Sequence, residues 1–384
     1  MIVQSMITTV FWLSCALLVG VYVVYPRVMT AVAARIGQAA HRSEVLPRAS
    51  VIVTAYNEEK GIATKLDNIL ASHAAEQLVE VIVASDASSD STDAIVSAYP
   101  HSAVRLLRVE GRQGKTACQN AAAAAARGEI LIFTDATTRL APEALGHLIA
   151  WFADPDAGCV AGRLVYQSRS SNATGRGNEA YWDYEIKLRV AESALGSLIG
   201  VSGCLYGVRR SAYRPIDPRL ISDFVISMRM REQQLRTVLA PDALCYEDTL
   251  SRSGHELSMR VRVAIRSINA LISERQFLNP FRFGLFAWQL WFHKVLRYAS
   301  PFLWLAALAS NAVLASRGPV YAVLLAAQVT VLVMGAFGFA LHSRRDHLGV
   351  FWRPYYFLLT NLASFIAALR YARGERMVTW RPVR

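Results

Sequence analysis

Three apolar runs in the first third of the chain each end on polar or acidic residues. Val51-Ile52-Val53-Thr54-Ala55 leads into Tyr56-Asn57-Glu58-Glu59, and Val81-Ile82-Val83-Ala84-Ser85 into Asp86-Ala87-Ser88-Ser89-Asp90. The third, Ile130-Leu131-Ile132-Phe133-Thr134, leads into Asp135-Ala136-Thr137. Short β-branched runs of this kind read as buried strands. In an open parallel sheet their C-terminal ends line one crevice, where nucleotides and phosphates bind. Asp86 could accept a hydrogen bond from a base or ribose there. It could also cap a helix, although Ser88 and Asp90 suit that role better. Asp135 could hold a hard divalent cation bridging two phosphates, neutralising charge on a departing diphosphate, or it could serve a turn.

Two further segments carry charge. Gly111-Arg112-Gln113-Gly114-Lys115-Thr116 lacks the glycine spacing of a P-loop. It still offers two cations and a flexible backbone to a phosphate at a helix N-terminus. Asp223 opens a helix in a segment containing Arg219, Arg229 and Arg231, where an acid ordinarily complements the helix dipole. On a later helix Arg262 and Arg266 share a face, with Arg260 close by. They could meet a pyrophosphate or lipid headgroups.

The elements that position these residues follow from hydrophobic period. Strands are expected at Val51–Ala55, Val79–Ala84, Val104–Val109 and from Ile130, with helices at Gly61–Ser72, Thr92–Tyr99 and Gly114–Ala126 between them. That alternation gives a doubly wound α/β sheet. The second half reads as a strand at Val160–Tyr166, a helix at Glu179–Leu195, and a strand pair or loop over Leu198–Val208. A helix at Ser222–Gln234, a short strand at Arg236–Leu239 and a basic helix at Ser258–Leu271 follow.

The chain of 384 residues is 53% hydrophobic, and the excess is concentrated at its ends. Ile7–Val24 is long enough to cross a bilayer. No basic residue precedes it, which favours an uncleaved anchor over a signal peptide. Ala299–Ser316 and Val320–Leu341 are expected spans. Phe351–Leu369 carries Arg353, Pro354 and Asn361, awkward in lipid, and is expected to lie in the interface or re-enter. Gln276–Tyr298, with aromatics beside Arg282, His293, Lys294 and Arg297, suits an amphipathic helix at the headgroup level. Arg27 and Arg35 place the domain after the first span in the cytosol, and the tail holding Arg370, Arg373, Arg376, Arg381 and Arg384 favours a cytosolic C-terminus. The formal charge of +12 fits an anionic leaflet. No nucleic-acid motif accompanies it. Five scattered cysteines argue against a disulfide framework or a zinc site. The sequon at Asn172 is meaningless in a cytosolic domain.

The ordered run Val51–Glu59, Asp86–Asp93, Gly111–Asn120, Gly128–Asp135 and Ser222-Asp223 resembles the inverting family 2 glycosyltransferases of GT-A fold. The flanking spans resemble the membrane-bound branch that includes cellulose, chitin and hyaluronan synthases. The resemblance implies a GT-A-type doubly wound mixed sheet over 43–275, an anchor at 1–42, an interfacial helix at 276–298, and transmembrane helices with a basic tail at 299–384. It implies a multi-pass protein of the cell membrane that uses a nucleotide-sugar donor, UDP-linked, and a lipid-linked or saccharide acceptor. Thr54, Tyr56 and Glu58 would then lie around the nucleotide, Asp86 would read the uracil ring, and Lys115 and Arg112 would stand near the nucleotide. Asp135 would be the first acid of the Asp-x-Asp that binds Mn or Mg. Gly203 and Cys204 would line the acceptor site, and Asp223 would be the general base. Arg260 and Arg262 are possible diphosphate contacts. Two departures stand out. Thr137 replaces the second metal acid, and a hydroxyl is a weaker ligand than a carboxylate. Met259-Arg260-Val261-Arg262-Val263 stands where processive synthases carry Gln-x-x-Arg-Trp, which favours single-sugar transfer over a polymer-translocating synthase. A non-catalytic scaffold that binds nucleotide sugar is the reading from another class.

Overall fold

The computed structural model describes residues 2–38, 41–43, 46–167, 173–248, 253–341 and 349–377. The sequon's Asn172 and the tail residues Arg381 and Arg384 lie outside them. The chain divides into two units, one of Met1–Ala31, Ser168–Glu185 and Thr249–Glu375, the other of Val32–Gln167, Ile186–Asp248 and Arg376–Arg384.

The second unit is built on a sheet. Its strands are β1 (Ala49–Ala55), β2 (Leu78–Asp86), β3 (Val104–Val109), β4 (Ile130–Asp135), β5 (Arg139–Leu140), β6 (Ala157–Gln167), β7 (Leu205–Arg209) and β8 (Arg236–Asp248). They run in the order β3-β2-β1-β4-β7-β6-β8-β5. β3, β2, β1 and β4 are mutually parallel, as the repeated strand–helix alternation requires. β7 is antiparallel to both of its neighbours, β4 and β6, so the sheet is mixed. Every residue of β1 is buried, which is why its sequence is a continuous apolar run and not an alternating one. The helix Lys115–Ala125 buries Ala122 and Ala123, small side chains that fit close helix–sheet packing.

Two strands of the second half differ from expectation. Leu198–Val208 yields one strand, β7, entered through a turn. β8 runs to Asp248 and does not stop at Leu239. Its pairing with β6 breaks after Leu239 and resumes at Leu244. Pro241, which has no N–H for the ladder, sits in that gap and hides the strand's continuity.

The first unit is helical. Among the described residues three helices are long and apolar enough to cross a membrane, Ile2–Ile36, Leu285–Arg317 and Pro319–Leu341, and they contain the three expected spans. Outward-facing Val320, Val323, Val333 and Phe337 on the last of these are more than half exposed. The fourth apolar segment forms the helix Trp352–Ala372, which is not among the three. Its Asn361 is buried and accepts from Ser300 Oγ at 2.7 Å while donating to Phe357 O, so its polarity is satisfied within the unit. The stretch Gln276–Tyr298 is not one helix. A short helix at Pro280–Phe283 is separated from the helix Leu285–Arg317, which carries a π turn at Trp291–Val295. Pro280 starts the first piece, and Gly284, at φ 54°, ends it in a left-handed conformation that suits glycine.

One close approach fixes how β4 enters the sheet. A Cβ on Gly128 would lie 2.3 Å from Ser50 N and 2.5 Å from Ala49 C, and neither backbone atom can yield. Gly128→Ala is therefore expected to destabilise the protein by about 1–3 kcal/mol, read as a lower midpoint in urea unfolding. An unchanged midpoint would mean that the backbones are not in tight contact.

Candidate functional site

β1 lies between β2 and β4, with Thr54 in register with Ala84 on one side and Asp135 on the other. The ends of β2 and β4 are thus two strand spacings apart, about 10 Å, on the same edge of the sheet. At the β2 end Asp86 is 1% exposed. Its carboxylate accepts from the backbone N–H of Gln113 at 2.8 Å and Gly114 at 3.0 Å, and from Arg112 Nε at 3.2 Å. Asp86 therefore shapes the loop that opens the Lys115–Ala125 helix, a partner that spacing did not reveal. The Arg112 guanidinium lies over the Tyr56 ring, 3.3 Å from its centroid. Tyr56, Arg112 and Asp86 together make a flat, donor-rich ledge.

The turns after β1 and β2 are latched together. Asn57 N donates to Ser88 Oγ, Ser89 N to Asn57 Oδ1, Glu58 N to Thr92 Oγ1 and Ser91 N to Glu59 Oε2. Asn57 and Ala87 hold positive φ, 54° and 53°, a conformation costly for residues with a Cβ. Thr54 Oγ1 is buried with no hydrogen-bond partner.

At the β4 end Lys115 Nζ donates to Asp135 Oδ1, and to Gly203 O at 3.3 Å. A Cβ on Gly203 would lie 2.8 Å from Asp223 Oδ2 and 2.9 Å from Lys115 Nζ. Glycine at 203 therefore leaves the space into which Asp223 and Lys115 both point. Burial alone would lower the Lys115 pKa, but the facing Asp135 and Asp223 carboxylates outweigh it and raise the value. Lys115 therefore stays a cation. Asp223 is the second residue of the Ser222–Glu232 helix, and its carbonyl accepts from Val201 N at 2.8 Å.

A further acid joins this end. Ligand atoms of Asp135, Cys204 and Glu247 all lie within 4.8 Å of one another. The short strand β5 brings them together: Arg139 pairs with Tyr246 and Leu140 with Cys245, which sets the Asp135–Thr138 turn against the end of β8. Thr138 Oγ1 donates to Glu247 Oε1 at 3.2 Å. Burial raises the Cys204 thiol pKa well above its usual value, so sulfur stays a neutral, soft donor. The two carboxylates are hard oxygen donors and suit Mn2+ or Mg2+. Glu247 could thus supply a second acid beside Asp135, a place that Thr137 takes in the expected motif. Reading β8 as ending at Leu239 hid it. Glu247 shares strand parity with buried Ala243 and Cys245, and an acid on an inward face was the signal available.

Beneath the cluster Lys65 is 3% exposed. Burial, opposed first by Asp135, lowers its pKa to about 8. Holding its charge costs about 3 kcal/mol at neutral pH. Arg260 and Arg262 belong to the helical unit, on the helix Ser253–Ser273. Arg260 donates to Glu256 Oε1 and to Tyr356 OH.

Residues 50–216 match the model of the family Glycosyl transferase family 2. The fold is GT-A-like. A mannosyltransferase from Pyrobaculum calidifontis, PcManGT, solved in complex with GDP-Man and Mn2+, superposes on 95% of this chain and 99% of its own, with a TM-score of 0.71 and 25% identity. The succinoglycan biosynthesis protein ExoO of Rhizobium meliloti is 33% identical over 104 residues, 27% of this chain and 29% of that protein. The beta-monoglucosyldiacylglycerol synthase of Trichormus variabilis is 29% identical over 171 residues, 44% of this chain and 36% of that protein. The chain thus spans about a third of the length of these two relatives.

Burial and the neighbouring Asp135 raise the Glu247 pKa above the ordinary 4.5. An acid whose folded pKa is raised destabilises the fold above its unfolded pKa, and the penalty fades as pH falls. Glu247→Gln in EDTA should therefore melt higher than the parent protein at neutral pH, with the gap closing towards pH 4.5. A lower melting temperature at neutral pH would show that the charge stabilises the fold.

Proposed function

We propose that this chain is an inverting membrane glycosyltransferase that moves a sugar from a nucleoside-diphosphate donor to a lipid-linked or saccharide acceptor at the cytosolic membrane face. The observation that carries the reading is the convergence of Lys115, Asp135, Glu247 and Asp223 at one strand edge. It stands about 10 Å from the Tyr56–Arg112–Asp86 ledge, the separation a nucleoside diphosphate bridges. The base and ribose lie on the ledge, and the Thr54 hydroxyl and Glu58 border them. Asp135 and Glu247 would hold a divalent cation, which would offset charge on the two phosphates.

Lys115 meets a phosphate oxygen and keeps its positive charge through the reaction. An Asp223 carboxylate oxygen takes the proton of the acceptor hydroxyl. The acceptor oxygen attacks the anomeric carbon in line as the bond to the diphosphate oxygen breaks, and the configuration inverts. Gly203 and Cys204 leave room for the acceptor. The resemblance favours UDP, and the Mn2+-bound neighbour carries GDP-Man, so the donor is a pyrimidine or guanine nucleotide sugar. Arg27 and Arg35, near the C-terminal end of the helix Ile2–Ile36, support a cytosolic catalytic unit. Phe281, fully exposed, and Trp288 support a 276–298 segment that enters the headgroup layer.

Purified protein in detergent, assayed with UDP- and GDP-sugars and a membrane lipid extract, tests this. Asp223→Asn should lower kcat by about 10²–10⁴-fold with donor Kd changed by less than about twofold, and EDTA should abolish transfer. Transfer by Asp223→Asn at the parent rate would remove the general base.

A further inference from the structure

Lys65 is a buried feature of this site that the mechanism above leaves unused. It stands on the helix Ile62–Leu70, among the buried apolar residues Ile62, Leu66 and Ile69. Its Nζ donates to Thr134 Oγ1 at 3.0 Å and to Thr138 O at 2.5 Å. Those two residues bracket the turn that begins with Asp135. Each passes the constraint on: Thr134 Oγ1 donates to Cys204 O at 2.8 Å, and Thr138 Oγ1 to Glu247 Oε1 at 3.2 Å. One helical turn further on, the same helix grips the far end of the turn, with Leu140 N donating to Asn68 Oδ1 and Asn68 Nδ2 to Leu140 O.

A leucine or methionine would fill this core position without the cost of burying charge. What an apolar residue cannot do is reach a hydroxyl and a carbonyl four residues apart and hold them together. We propose that Lys65 is a positioning residue, one that sets Asp135 and Glu247 in register to receive a divalent cation without itself touching the cation or the donor. The inference rests on the reading that these two carboxylates hold the cation. The burial-lowered pKa of Lys65 is consistent with a group kept for function at the expense of stability.

The test is Mn2+ alone, titrated into full-length protein in detergent and followed by the electron paramagnetic resonance of free Mn2+, alongside melting in EDTA. Lys65→Met should weaken Mn2+ binding by about 10-fold or more. Thr134→Val, which removes one of the two Lys65 hydrogen bonds together with the Thr134–Cys204 bond, should weaken it about threefold. Both should melt in EDTA within about 3 °C of the parent, or higher. Unchanged Mn2+ affinity in Lys65→Met overturns the proposal, and tighter binding does too, since the lysine would then only repel the cation. Weakened binding with an equal loss of metal-free stability in both variants overturns it as well, because Lys65 would be an ordinary core residue. If Lys65→Met does not fold, Thr134→Val decides by the same criteria. A parent protein that binds no Mn2+ would sink the metal reading itself, a result separate from any of these.

Discussion

The site depends on keeping two carboxylates close together in a place that water reaches poorly. Asp135 and Glu247 approach within 4.8 Å, and like charges at such a distance repel strongly when partly desolvated. The chain answers with two lysines. Thr134 and Asp135 point to opposite faces of the sheet because successive strand residues alternate. Lys65 reaches the Thr134 side from one helix and Lys115 reaches Asp135 from another. The cluster is therefore flanked by cations from both faces. On the proposed reading, a cation or diphosphate would meet charges already placed, with little reorganisation on binding.

The same arrangement explains the placement of Lys115. It is the first residue of its helix, so its backbone stands at the positive end of the helix dipole, while its side chain spans from Asp135 to the carbonyl of Gly203. The loop before it is held by Asp86, whose carboxylate collects two backbone N–H groups and Arg112. Asp86 and Lys115 are thus coupled mechanically through two or three residues of backbone. The strained Asn57 and Ala87, both at positive φ and latched to one another's loops, hold the third side of the ledge rigid.

Much of this could be read from sequence because the signals were local. β1, β2 and β4 are buried on both faces and read as apolar runs, and the acids at their ends follow directly. Spacing could not give Asp86 its partners, because a carboxylate at a strand end has the same sequence context whether it meets a base or a backbone loop. Glu247 was hidden for a different reason. Its strand is interrupted at Pro241, and its value comes from pairing with β5, only two residues long, which no periodicity can mark. Lys65 was invisible as chemistry because it sits on the apolar face of an amphipathic helix, where a lysine is ordinarily expected to snorkel to solvent.

The substitution of Thr137 for an acid then acquires a physical meaning. With both ligands on one turn, a cation site would form as soon as that turn did. Here the second acid lies at the end of β8, so the site exists only when β5 has paired with β8 and the Asp135–Leu140 segment is seated. That segment is short and lies at the sheet edge, where pairing alone is weak. The helix Ile62–Leu70 compensates by gripping it at both ends, through Lys65 at Thr134 and Thr138 and through Asn68 at Leu140. On the proposed reading, metal affinity would be tied to the docking of a helix that bears no ligand. Loosening that helix should be felt at the cation before it is felt anywhere else in the sheet.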